Sequence, residues 1–468
     1  MLAVLTKAEN KVKRHEYQTE RLENTAMDAM RTMLEKRKSG MKFAGIPSFC
    51  TANDLVIEAC LKQAMRFGDD VLVEATANQV NQFGGYTGMK PADYRDFVYK
   101  IADAIGFPRE KIVLGGDHLG PLTWQNEPEK EAMEKSIELV KLFVLAGFKK
   151  IHLDTSMRVA DDPKDCPLSD ETIARRGAVL YGACEEAYQE LLRTNPEEIR
   201  PVYIIGSEVP IPGGAQEAEE SISVTKPEDV EKTLAVYRRE FEKHGLKDAF
   251  ENIIGIVVQP GVEFGDEDIF HYNRVNAAGL TASMKKYNNI VMEGHSTDYQ
   301  SPKELKEMVE DGIAILKVGP ALTFSLREGL FSLSLMEKQL VSVEKQANFI
   351  EVMEKVMLEN PSSWQKHYHG TEAQLANKRK YSFSDRCRYY FALPEMKEAI
   401  ERLFRNLDEV EIPLGMLRQY MPVQYVKVRD GLLPRTAREL AEDCVVHLIE
   451  DYNYATKLNY VTGDVFCC

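Results

Sequence analysis

The sequence predicts an α/β protein built on a (β/α)8 TIM barrel, and three observations predict it. Eight short, β-branched apolar runs alternate with amphipathic helical stretches between residues 43 and 324. Strict alternation implies parallel strands joined by right-handed crossovers, and eight such units close naturally into a barrel. A doubly wound sheet is the competitor, but no GxGxxG follows the first strand and no GxxxxGK(S/T) occurs anywhere, so NAD and ATP have no binding motif.

In chain order the runs are AGIPSF (44–49), VLVEAT (71–76), KIVLGGDH (111–118), KKIHLDTS (149–156), PVYIIGSE (201–208), IIGIVVQP (253–260), NIVMEGH (289–295) and AILKVGPAL (314–322). Helix starts are signalled by Ser169 with acidic residues after it and by Thr225 with Glu228 three later. Ser301, Pro302 and Glu304 spell a capping box with proline at the first helical position. Gly68, Gly106, Gly147 and Gly312 fall where helices should stop. The GGYTG at 84–88 has the wrong spacing for a phosphate loop and reads as an ordinary loop. Residues 1–42 form a charged arm whose periodic apolar positions from Ala26 to Leu34 predict one helix, placed either to cap the bottom of the barrel or to reach another subunit. Residues 325–468 are helical by pattern, with Pro361, Pro394 and Pro413 as punctuation, and form an appendage without evident chemistry of its own.

Composition narrows the function. The 468 residues carry 59 Lys+Arg against 74 Asp+Glu, a formal charge of −15, which argues against nucleic acid and anionic membrane as partners. With 44 % apolar and 28 % charged residues the chain can bury a large core, and no run of about 18 apolar residues exists to span a bilayer. MLAVLT at the N-terminus is too short for a secretory h-region, so a cytoplasmic location is expected. Eight scattered cysteines with no CxxC read as reduced thiols.

Active sites of such barrels sit at the C-terminal ends of the strands. Metal-capable and acid/base residues collect there: Glu74 on strand 2, Asp117 and His118 on strand 3, His152 and Asp154 on strand 4, Glu208 on strand 5, Gln259 on strand 6, Glu293 and His295 on strand 7, and Lys317 on strand 8. A histidine at a strand end is more often a satisfied hydrogen-bonding group than a ligand, but histidines and carboxylates converging on one mouth predict a metal site. Imidazole with carboxylate or amide oxygen suits Zn or Mn, and the absence of thiolate predicts an open catalytic site. Cys50, at the end of strand 1, reads as wall, because a nucleophile would need a partner histidine that the sequence does not place beside it. His15, His244, His367, His369 and His447 fall in helical or loop stretches and read as surface.

Beyond these patterns, the strings GIPSFCTAN (45–53), GGDHLGP (115–121), HLDTSM (152–157), GSEVPIPGGA (206–215), VVQPGVEFG (257–265), EGHSTDYQ (293–300), YSFSDRCRYY (381–390) and QYMPVQY (419–425) resemble the family that contains the Z-type subunit of class II tagatose-1,6-bisphosphate aldolase. The resemblance runs from about residue 43 to 455. That family is similar to the zinc-dependent class II ketose-bisphosphate aldolases, which are (β/α)8 barrels. The resemblance implies Asp117 as catalytic acid/base, His118 and His295 as metal ligands, and Gln259 where the aldolases place a further histidine. Glu208 matches an acidic position near the metal. Ser296, Thr297, Gly319 and Thr323 match the groups that hold a substrate phosphate after strands 7 and 8. Ser48, Asn53 and Glu74 are further expected substrate contacts.

Some members of this family resemble non-catalytic partners of a separate aldolase chain; others resemble fructose/tagatose 4-epimerases. The hydrogen on C4 of a 2-ketose is not adjacent to the carbonyl, so inversion there needs either transient oxidation by NAD or retro-aldol cleavage of C3–C4. The missing dinucleotide motif favours cleavage. A divalent metal, Zn foremost with Mn, Ni or Co as alternatives, would act as Lewis acid, and one acid/base residue, Asp117, would handle the O4 proton. A second is expected for the opposite face, with Asp154 or Glu74 as candidates. The alternative role of Asp154 is to orient a ligand. Arg386 and Arg388, with Tyr389 and Tyr390, are expected either over the mouth as substrate contacts or a lid, or in an interdomain salt bridge. The sequence thus predicts a metal-dependent ketohexose or ketohexose-phosphate 4-epimerase, with an aldolase or a stabilising aldolase subunit as alternatives. A homo-oligomer is the expected assembly, with a separate aldolase subunit as a further partner.

Overall fold

The computed structural model describes residues 28–206 and 222–457. Eight strands close into one barrel: β1 (Ile46–Cys50), β2 (Val71–Thr76), β3 (Ile112–Leu119), β4 (Lys150–Leu153), β5 (Val202–Ile205), β6 (Ile253–Val258), β7 (Val291–Gly294) and β8 (Ile313–Val318). Each pairs in parallel with its neighbours in sequence, and β1 closes the ring on β8, with Ser48 opposite Lys317 on one side and Leu72 on the other. The predicted eighth run extends to residue 322, but the strand ends at Val318 because Pro320 already opens the next helix.

The helical start and stop chemistry explains the crossovers. Ser169 caps its helix by accepting from Thr172 N, and Ser301 forms the reciprocal capping box with Glu304. Gly68 and Gly106 end their helices in the left-handed conformation. Thr225 departs from the expected pattern: the helix begins at Pro227 with Lys226 before it, and the Thr225 hydroxyl instead accepts from Gln259 N, tying the loop after β5 to the end of β6.

The first described helix, α1 (Ala29–Lys38), inserts Met30, Met33 and Leu34 into the N-terminal end of the barrel against Leu72, Val113, Val202, Ile254, Val291 and Ile315. Asp28 caps it, and Arg37 pins its last turn to the carbonyls of Lys42, Ala44 and Val309. The periodic apolar stripe is therefore a plug that keeps water from the barrel interior. At the other end of the chain, the helix Ala437–Thr456 packs against β1 and against the helices that follow β1, β7 and β8. Tyr452 in it donates to Thr297 O at 2.9 Å. The buried residues of the C-terminal helices belong to the same apolar cluster as those around the barrel. Among the described residues, no helix is long and apolar enough to cross a membrane.

Candidate metal centre and active site

Consecutive residues of a strand point to opposite faces, yet Asp117 and His118 both face the barrel mouth. A bulge permits it: the β3–β4 register shifts between Gly116 and Leu119, and His118 takes φ +48°, a conformation uncommon for a non-glycine residue. On β4 and β7 the ordinary alternation suffices, sending Lys150 with His152, and Glu293 with His295, to the interior in pairs two residues apart.

Asp117, His118, His152 and His295 converge, with one donor atom of each within 4.8 Å of the others, and all four are buried. The three imidazole rings form a nearly equilateral triangle, with centroids 4.9, 4.9 and 5.2 Å apart. Each ring spends one nitrogen on an outer acceptor. His118 Nδ1 lies 2.7 Å from Asp154 Oδ2, His152 Nε2 lies 3.1 Å from Gly206 O, and His295 Nε2 lies 2.8 Å from Glu293 Oε1. The opposite nitrogens of His118 and His295 are thereby left as lone-pair donors toward the centre. His152 Nδ1 stands 3.2 Å from the His118 backbone N–H and 2.9 Å from Asp117 Oδ1. Two acceptors at that separation need a proton or a cation between them. Three imidazoles beside one carboxylate could hold a divalent metal ion.

Beneath this centre lies a layer of buried charge. Lys317 pairs with Glu74 and, at 2.7 Å, with Asp117; Lys150 pairs with Glu74 at 2.8 Å and Glu293 at 2.7 Å. Gly115 makes room for Glu74, whose carboxylate a β-carbon there would strike. Burial alone would raise the Asp117 carboxyl, but the charges of His118 and Lys317 and the hydrogen bond of His152 hold it well below the usual carboxylate range. Burial likewise opposes ionisation of Asp154, and its bond to His118 prevails, bringing it to about 2. For His295 burial wins, lowering it to about 3, so its lone pair is available at neutral pH. Burial pushes the Cys50 thiol up to about 12, consistent with a wall residue.

Several sequence expectations are redistributed by these contacts. Gln259 is not among the converging donors: its Oε1 accepts from Gly261 N and Val262 N at 2.8 and 3.0 Å, folding the loop after β6. His152 is among the converging donors. Glu208 lies outside the described residues. Asp154 orients His118 and Ser156 rather than facing the reacting centre. Glu74 is wholly buried in the ionic layer under the mouth, and so is Ser48, whose Oγ has no hydrogen-bond partner. Asn53 caps the helix after β1 through Val56 N. Thr297 bonds Lys317 O and the Tyr452 hydroxyl, Thr323 bonds Asp385, and Gly319 N is taken by Asp298. Ser296, half-buried at φ +50°, stands at the mouth directly after His295. Arg386 donates to Ser363 O, while Arg388 lies over the Tyr389 ring, and among the described residues neither forms a salt bridge. Sequence reading missed the roles of His152 and Lys150; their two-residue spacing in KKIHLD, which puts both on one strand face, is the signal that identifies them.

Comparison with known proteins gives a consistent picture. The family described as D-tagatose-1,6-bisphosphate aldolase subunit GatZ/KbaZ-like matches residues 30–457. The D-tagatose-1,6-bisphosphate aldolase subunit GatZ of Salmonella agona (strain SL483) is 47 % identical over 425 residues, covering 91 % of this chain and 98 % of that protein. The same subunit of Salmonella dublin is 46 % identical over an equal span. Among solved structures, a probable tagatose 6 phosphate kinase from Sinorhizobium meliloti 1021 superimposes with a TM-score of 0.80 at 44 % identity, covering 88 % of this chain and all of that one.

Proposed function

The chain belongs to the D-tagatose-1,6-bisphosphate aldolase subunit GatZ/KbaZ-like family, and from that premise we propose that it serves as the Z-type subunit of a tagatose-bisphosphate aldolase, associating with a separate catalytic aldolase chain. The observation that carries this reading is the 47 % identity to a subunit of that name across 98 % of the relative's length. It supports the subunit reading over the epimerase expected from the sequence. Mixing the purified chain with the catalytic aldolase chain tests it: a complex that co-elutes and a longer-lived aldolase activity are expected, and two independent species with unchanged activity would overturn the reading.

A second reading, a metal-dependent ketohexose or ketohexose-phosphate 4-epimerase, is favoured by one feature of the barrel mouth. A stabilising subunit has no physical need of three imidazoles oriented by Asp154, Glu293 and Gly206 around a carboxylate. A divalent cation held by His118, His152 and His295 would supply Lewis acidity toward the ketose carbonyl. Asp117, kept anionic by Lys317, takes the O4 proton as the C3–C4 bond breaks and returns it once the aldehyde has turned its other face. Asp154 holds the His118 ring and moves no substrate proton. Burial of the whole cluster excludes bulk water from the cleaved fragments. The test is incubation of the chain alone with fructose, tagatose and their 6-phosphates in Zn, Mn or Ni, followed by chromatography. Interconversion supports this reading, and its absence with every metal removes it.

A further inference from the structure

The N-terminus of the helix after β8, Pro320–Leu340, is where a phosphate would ordinarily be received, and this chain has filled it. Asp298, 2 % exposed, accepts from Gly319 N at 3.1 Å and Ala321 N at 2.8 Å through one carboxylate oxygen. Pro320 between them has no N–H. The neighbouring hydroxyls are spent as well: Thr297 on Lys317 O and Tyr452, Thr323 on Asp385. A substrate anion at this point would meet the carboxylates of Asp298 and Asp385.

A cation lies beside this terminus: the charge of Arg388 acts on Asp298. Arg388 donates through Nη1 to Ser384 O and Asp385 O and through Nη2 to the Tyr389 hydroxyl at 2.9 Å, all neutral oxygens. These bonds fix the guanidinium plane and leave Nε–H and one Nη2–H available. Of the buried arginines, Arg176, Arg327 and Arg379 each pair with a carboxylate, whereas Arg386 donates to Ser363 O. Among the described residues, no carboxylate oxygen pairs with Arg388. Its guanidinium lies 4.4 Å from the centroid of Tyr389, and that ring meets Tyr86 edge to face at 4.8 Å. Tyr86 sits in the turn after β2 beside Gln79, whose Oε1 faces Cys50 Sγ at 3.7 Å. Cys50 Sγ in turn lies 3.9 Å from Asp117 Oδ2. A continuous wall therefore runs from Asp117 to Arg388.

We propose that Arg388, supplied by the C-terminal region, is the anion-binding residue of this barrel and takes the phosphate monoester of a ketose phosphate in place of the helix terminus after β8. The assignment rests on the barrel mouth being a ketose site. A planar guanidinium with two parallel donors suits a phosphate ester.

The test uses the full-length, zinc-loaded chain titrated by calorimetry with fructose, fructose 6-phosphate and inorganic phosphate. The phosphate ester is expected to bind at least about tenfold tighter than the free sugar. Arg388→Met should weaken the ester and inorganic phosphate by about 10- to 100-fold and leave fructose within about threefold. Arg388→Lys should fall between, and thermal melting with zinc stoichiometry shows that each variant is folded. Equal affinity for sugar and ester, or unchanged phosphate binding in Arg388→Met, would each overturn the assignment. If neither sugar binds, the ketose reading of the mouth fails, and the inorganic phosphate titration still decides for or against Arg388.

Discussion

Lys317 Nζ stands 2.7 Å from Asp117 Oδ2, so the carboxylate at the centre of the barrel mouth is held by a cation that reaches it from the opposite side of the β1–β8 seam. The same ammonium pairs with Glu74. Lys317→Met would remove the ammonium that Asp117 and Glu74 share, leaving Lys150 as the lysine paired with Glu74 and none with Asp117. We expect the metal-free protein to lose about 3–5 kcal/mol, read from urea denaturation. Lys317→Arg, which keeps the charge, should lose less. A Met variant as stable as the parent would show that this pair is not an ionic one.

The metal donor set makes a sharp contrast between two residues. His152→Ala removes a donor whose tautomer is fixed by Gly206 O, and tight zinc binding should be abolished. Gln259→Ala removes a side chain that binds only its own loop, and zinc affinity should stay within about threefold. Chelator competition measures both. The reverse ranking would return Gln259 to the ligand set.

Asp154→Asn keeps the shape of the His118 partner but not its charge. Zinc affinity is expected to fall by about 10- to 100-fold, with little effect on thermal stability of the metal-free chain beyond the lost hydrogen bond. An unchanged zinc affinity would show that Asp154 does not orient His118.

Asp298 gives a pH signature. Burial raises its carboxyl to about 6, against the lowering effect of the Ala321 and Gly319 amides. Between its ordinary value near 3.8 and about 6, the folded chain holds a proton that the unfolded chain has released. Its contribution to stability therefore declines as pH rises through that window and is lowest above about 6. The difference amounts to about 3 kcal/mol. Asp298→Asn should flatten this part of the pH–stability curve and raise stability at pH 7. Parallel curves for the two proteins would refute the assignment.

The plug under the barrel is testable by truncating one side chain. Met33 is buried among the interior residues of the barrel's N-terminal end. Met33→Ala should cost about 2–5 kcal/mol, seen as a lower melting temperature with zinc stoichiometry intact. A loss of zinc at full stability would mean that the plug couples to the site instead.

The barrel itself was legible in the sequence because burial of a parallel sheet on both faces forces each strand to be an apolar run, and helices must lie between them. The height of the site was legible too, since Asp117, His118, His152 and His295 all fall at strand ends. Family membership followed from strings such as GGDHLGP and EGHSTDYQ, which need no coordinates. Sequence position fixes how far along a strand a residue lies, and not which way its side chain turns or what already occupies its hydrogen bonds. Tertiary structure decided those. The bulge at His118 turns two consecutive residues inward, against the alternation that a regular strand dictates. Gln259 is spent on its own loop and His152 is not, although both lie at strand ends. The helix terminus after β8 is closed by Asp298. The partners of Lys317, Asp154 and Arg388 are set by residues from 36 to 243 positions away in the case of the first two and by a local turn in the third. Electrostatic pairing depends on distance in space, which only chain closure around the barrel establishes.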